Sequence, residues 1–165
     1  VQAVDTAASE LAAASAGHSI AVRLTDDLDV ARGDVIADAQ RPPRVTSELN
    51  ATLCWLADTP LRSGARLLLK HGTRTTQAVV TALHDRLDTD TLQHAATEHL
   101  EINDIGRVAV RAADPLPVDD YVDSRTTGSF LLIDPPSGNT LAAGLIGAPQ
   151  LLLDPPSDPP PILGP

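Results

Sequence analysis

At 165 residues the chain is sized for one ordinary domain, or for one small domain and part of another. An apolar share of 42% is enough for a core, and a single Trp, Tyr and Phe make that core aliphatic. The formal net charge of −10, with arginines scattered among more numerous acids, argues against nucleic-acid binding and against attraction to an anionic membrane surface.

Residues 19–24 alternate polar and apolar, which predicts a half-buried strand with Ile20, Val22 and Leu24 inward. Before it, the Ala-rich run 7–16 has no apolar stripe beyond Leu11 and is read as an irregular connection. After it, Arg32-Gly33-Asp34 is a turn and Val35-Ile36-Ala37 a short strand. Arg41-Pro42-Pro43-Arg44 marks a domain border, because two prolines cannot donate ladder hydrogen bonds and force an extended path.

The clearest strand is 47–56. Leu49, Ala51, Leu53 and Trp55 alternate with Glu48, Asn50, Thr52 and Cys54, placing Trp55 in the core and Cys54 on the other face. Residues 65–70 and 76–83 read as strands separated by Gly72. Arg107-Val108-Ala109-Val110-Arg111 alternates again. Residues 130–133 and 140–146, joined by Pro135-Pro136-Ser137-Gly138-Asn139, read as a hairpin. Five or six strands at this spacing suggest a closed or nearly closed barrel. The Pro-rich tail 148–165 is expected to be disordered or extended. Its segment 151–157, LLLDPPS, nearly repeats 131–137, LLIDPPS.

Residues that could carry chemistry are few. Lys70 is the single lysine and lies in LLLKHGT, not in the glycine-rich loop whose backbone N–H groups cradle phosphates. His84, His94 and His99, near Asp85, Asp88 and Asp90, form the one histidine cluster. Their spacing matches no pair on one helical face, and the region reads as an exposed loop between strands. Asp26, Asp27 and Asp29 lack the remaining ligands of a calcium loop and read as a solvated turn. Asp119, Asp120 and Asp123, around Tyr121, read as an acidic surface patch. Cys54 stands alone, so it forms no intramolecular disulfide, and nothing marks its thiol as activated. The lone cysteine, the absence of a basic-then-apolar leader and the absence of an apolar run near the roughly 20 residues of a membrane span point to the cytoplasm. No catalytic, cofactor-binding or metal-binding residue is assigned.

Five segments, in order and in register, carry a resemblance. They are Cys54-Trp55-Leu56-Ala57-Asp58, Leu69-Lys70-His71-Gly72-Thr73-Arg74-Thr75, Arg86-Leu87-Asp88-Thr89-Asp90-Thr91-Leu92, Leu100-Glu101-Ile102-Asn103-Asp104-Ile105-Gly106-Arg107-Val108 and Thr127-Gly128-Ser129-Phe130-Leu131-Leu132-Ile133-Asp134. Together they resemble the large, GTP-binding subunit of bacterial sulfate adenylyltransferase, including its forms fused to adenylylsulfate kinase. That subunit is similar to elongation factor Tu, with a GTPase domain followed by two β-barrels.

The resemblance implies an all-β chain, an elongation factor Tu-like domain III barrel preceded by a partial domain II barrel. Residues 1–40 would end the second barrel, 44–147 would form the whole third barrel, and 148–165 the tail. A partial barrel exposes strand edges, so residues 1–38 are expected to be poorly ordered or sticky. The family's GTP motifs belong to the first domain and none occurs here. The implied reading is a C-terminal fragment, inactive alone, whose parent uses GTP to drive adenylyl sulfate synthesis from ATP and sulfate. Its implied partners are the catalytic subunit and the parent's own GTPase domain. A free-standing barrel used as a binding module, or a gene remnant without function, are the alternatives.

Overall fold

The computed structural model describes residues 1–147 apart from Ala8 and Ala16; the expected tail lies outside the described residues. No helix occurs among them, so none is long and apolar enough to cross a membrane. The chain divides between Asp34 and Val35 into two compact units, upstream of the Arg41–Arg44 prolines.

In the first unit, β1 (Ala3–Asp5) is the centre of a three-stranded antiparallel sheet, flanked by β2 (Glu10–Leu11) and β3 (Ala21–Arg23). Arg23 ties it together, donating to Asp5 at 2.8 Å and to Glu10 at 2.6 Å. The expected strand at 19–24 is therefore present but short, and it is not half-buried: Ile20 and Val22 are exposed. Strands of two or three residues carry too little apolar surface to make a core of their own. Val35-Ile36-Ala37 forms no strand; Val35 and Ile36 are exposed and pair with nothing in a ladder.

The second unit is built on β4 (Arg44–Trp55), β6 (Arg66–His71), β7 (Arg74–Leu87), β10 (Ile105–Val118), β11 (Ser129–Ile133) and β12 (Thr140–Ile146). Their order is β10-β4-β12-β11-β6-β7, and β7 pairs back onto β10, so the sheet closes into a six-stranded antiparallel barrel. Closure removes the free edges that an open sheet would present. Three short strands, β5 (Leu61–Arg62), β8 (His94–Ala95) and β9 (His99–Leu100), decorate it: β8 extends β7, and β5 pairs with β9.

The alternation in the sequence explains the core. Leu49, Leu53, Leu69, Val80, Val108, Val110, Leu132 and Ile146 are almost fully buried inside the barrel. Trp55 joins them, its indole N–H donating to the Thr59 carbonyl at 2.9 Å, which satisfies the one polar atom it buries. Cys54 lies half-buried on the opposite face. Phe130 lies over Gly144 across the β11–β12 pair, where an added Cβ would run into the ring. The expected hairpin of 130–133 and 140–146 is this pair.

Candidate functional site

Among the described residues of the second unit one carboxylate is buried, and it lies just past two irregularities in β7. Opposite β10, the register slips once between Ala82 and Val80 and again between Asp85 and Leu83. Each slip inserts one residue, so the first turns Leu83 toward the core side and the second restores the original parity; Asp85 and Leu87 are buried outside the core cluster that holds Ala78 and Val80. Asp85 thereby becomes the cross-strand partner of Arg107.

Asp85 is 7% exposed. Its Oδ2 accepts from Arg107 Nε at 2.8 Å and from the same guanidinium's Nη2, while its Oδ1 faces His94 Nδ1 at 2.9 Å. Burial pushes the Asp85 carboxyl up. The hydrogen bonds from Arg107 and His94 and the charges of both outweigh it, so the group sits below the usual carboxylate range. Held ionised and surrounded by donors, Asp85 is an anchor for the 88–98 segment. Chemically it can orient His94; it is not poised to take a proton.

The reading of 84–99 as an exposed loop is thus corrected. His84 and Asp85 lie in β7, His94 opens β8 against Leu87, and His99 lies in β9. The three histidines do not share a centre: His94 faces Asp85, and His99 Nε2 faces Glu101 Oε1 at 3.5 Å. Asp88 caps the turn instead, its Oδ1 accepting from the backbone N–H of Thr91 at 2.8 Å and of Asp90 at 3.0 Å. Those bonds lower its carboxyl from the ordinary value. Among the described residues, no group of three or more His, Cys, Asp or Glu side chains is arranged to hold a metal ion.

Asp119, Asp120, Tyr121 and Asp123 lie on the connection from β10 to β11, and only part of it is surface. Asp119 accepts from the Thr127 hydroxyl, Asp120 faces Arg44 at 3.9 Å, and the Tyr121 N–H donates to Ile146 O at 2.9 Å. Gly128 packs so closely on the Tyr121 backbone that a Cβ would lie 2.6 Å from its nitrogen. His71, which sequence reasoning passed over, is 5% exposed and bonds Thr127 O through Nε2 at 2.8 Å, pinning this connection to β6. A polar residue at the end of an alternating strand was its one signal. Asp26, Asp27 and Asp29 lie in the first unit on an exposed stretch without ligand geometry. Lys70 is exposed within β6 and belongs to no phosphate-cradling turn.

A model of the family described as GTP-eEF1A C-terminal domain-like matches residues 48–147, most of the barrel. The chain is 42% identical over 148 residues to the bifunctional enzyme CysN/CysC of Mycobacterium tuberculosis, covering 88% of this chain and 24% of that one. It is 43% identical over 141 residues to sulfate adenylyltransferase subunit 1 of Methylorubrum populi, covering 86% and 30%. The chain is 35% identical over 147 residues to the same subunit of Laribacter hongkongensis, covering 88% and 31%. The chain thus spans between 24% and 31% of the length of these relatives. Among solved structures, Sup35 complexed with GDP superposes over 88% of this chain and 36% of its own, with a TM-score of 0.76 at 20% identity, a likeness of fold. The closed barrel and these matches agree: the chain belongs to the GTP-eEF1A C-terminal domain-like family, in the lineage of sulfate adenylyltransferase subunit 1.

Proposed function

We propose that this chain serves as the barrel region of a sulfate adenylyltransferase subunit 1 and works by holding surfaces together. The observation that carries the reading is identity of 42–43% to such subunits over more than four-fifths of the chain. In this reading the first unit, Val1–Asp34, is the end of a preceding barrel, and the second is a complete domain III barrel. The parent uses GTP hydrolysis to drive formation of adenylyl sulfate from ATP and sulfate in the cytoplasm. GTP is held by a GTPase domain, and the catalytic subunit is the partner. The barrel itself contributes no catalytic, cofactor-binding or metal-binding residue.

The chemistry of the barrel supports that division of labour. The buried carboxylate of Asp85 is paired with Arg107, hydrogen-bonded to His94 and anchors a loop. Its lysine stands on a strand, where no row of backbone N–H groups converges on a phosphate.

Two measurements test the proposal. The purified 165-residue chain is expected to bind no GTP and to release no phosphate from it; saturable GTP binding sinks the division of labour. In native cells, an immunoblot against the 53–147 region is expected to show a band several times larger than 17.2 kDa. A band near that mass moves the reading to a free-standing binding module.

A further inference from the structure

The outer face of β11 and β12 carries a groove of about 510 Å³. Its floor is apolar and small: Leu131, Ala143 and Leu145, with Leu131 37% exposed. Lys70 stands at one side, directly opposite Leu131 in the β6–β11 register. Arg125 reaches it from the β10–β11 connection, and the Ser129 and Thr126 side chains add hydroxyls. Among the described residues, no Asp or Glu lines it.

That lining is unusual for a chain of net charge −10. Arg44, Arg86, Arg107 and Arg111 of the same unit each pair with a carboxylate, whereas Lys70 and Arg125, like Arg62, Arg66 and Arg74, enter no ion pair among the described residues; Lys70 and Arg125 are the two that flank this apolar floor. The nearby carboxylates are engaged elsewhere: Asp119 accepts from Thr127 and Asp120 faces Arg44, which leaves Asp123 as the exposed acid of that connection. Two unneutralised cations flanking an exposed apolar floor are complementary to a segment carrying both carboxylates and aliphatic side chains.

We propose that this groove is a docking site for an acidic, leucine-bearing peptide segment of a partner protein. Carboxylates of the segment meet Lys70 and Arg125, and its aliphatic side chains cover Leu131, Ala143 and Leu145. The inference stands on the groove alone and does not depend on which enzyme the barrel serves.

The probe is a fluorescein-labelled peptide of alternating Leu and Glu, titrated with the full 165-residue chain and followed by anisotropy. The Leu/Glu peptide is expected to bind at least about tenfold more tightly than its Leu/Gln counterpart, and to weaken as salt is raised. Lys70→Ala with Arg125→Ala is expected to weaken it about tenfold, while Arg62→Ala with Arg66→Ala, two exposed arginines elsewhere, changes it less than twofold. Backbone amide shifts of the unmodified chain are expected to move at Leu131 and Leu145, which reads the site without any substitution. Equal affinity for the two peptides, equal loss in the two double variants, or shifts elsewhere overturns the proposal. So does tighter binding of a single-stranded oligonucleotide of equal charge, or self-association that displaces the peptide as chain concentration rises.

Discussion

Asp85 shows how one residue can be both costly and stabilising. A carboxylate taken out of water is expensive, and removing a partner from a buried pair leaves that expense uncompensated. Asp85→Asn is expected to lower unfolding stability by roughly 2–3 kcal/mol, below the usual loss for a fully buried pair because the Arg107 side chain is partly exposed. Urea unfolding followed by the fluorescence of Trp55, the single tryptophan, measures it. The pH dependence has a definite sign. Folding depresses the Asp85 carboxyl, so its stabilisation is complete above the unfolded value of about 4 and is lost as pH falls through the lower native value. The midpoint difference between the parent chain and Asp85→Asn is expected to narrow on acidification below about pH 4; a difference that stays constant or widens contradicts this account. Leu92 offers the opposite change. It holds φ at +57° in the turn after Asp88 while 55% exposed. Leu92→Gly relieves a left-handed conformation and is expected to stabilise by about 0.5–1 kcal/mol, measurable as a raised Tm.

At the level of elements, close approach decides which glycines are replaceable. At Gly128 an added Cβ meets the backbone of Tyr121 and Ser124, which cannot rotate away; at Gly144 it meets the Phe130 ring, a side chain rather than backbone. Gly128→Ala is expected to cost about 3 kcal/mol or more and Gly144→Ala about 1–3 kcal/mol, so the order of their denaturant midpoints is the check. The same contrast between regular and irregular stretches governs what could be read from the residues alone. The alternation of Leu49, Ala51, Leu53 and Trp55 is unbroken, and β4 was legible to within a few residues, as was the β11–β12 hairpin with its proline-and-glycine turn. The last third of β7 was not. The slips around Thr81 and His84 break its alternation twice within four residues, so a sequence read with period 2 loses the strand before Asp85 and Leu87. Nor could local pattern place Arg107 and His94 on Asp85, since they lie 22 and 9 positions away along the chain.

Across the whole molecule, stability is unevenly distributed. The first unit is tied by short ladders and an exposed ion-pair cluster around Arg23, while the barrel closes on a continuous aliphatic core. Backbone amides of β3 are expected to exchange with deuterium at least about a hundredfold faster than those of Leu49–Leu53, the difference between local fraying and global unfolding. Comparable protection in both units contradicts it. The first unit leaves Ile20, Val22, Leu28 and Val30 exposed, apolar surface open to association at high concentration.

The position of β4 in the barrel also sets a timetable for synthesis. Both of its neighbours, β10 and β12, lie far downstream, and Ala51 waits for Ile146 before its ladder is complete. On a ribosome adding residues one at a time, β4 emerges first among the barrel strands and is the last to be enclosed. Throughout that interval a strand of 12 residues with one apolar face has two open sides. Long-range pairing of this kind is slow to form and exposes the nascent chain to the wrong partners, so release just short of Ile146 would leave an almost finished barrel with its first strand still unguarded.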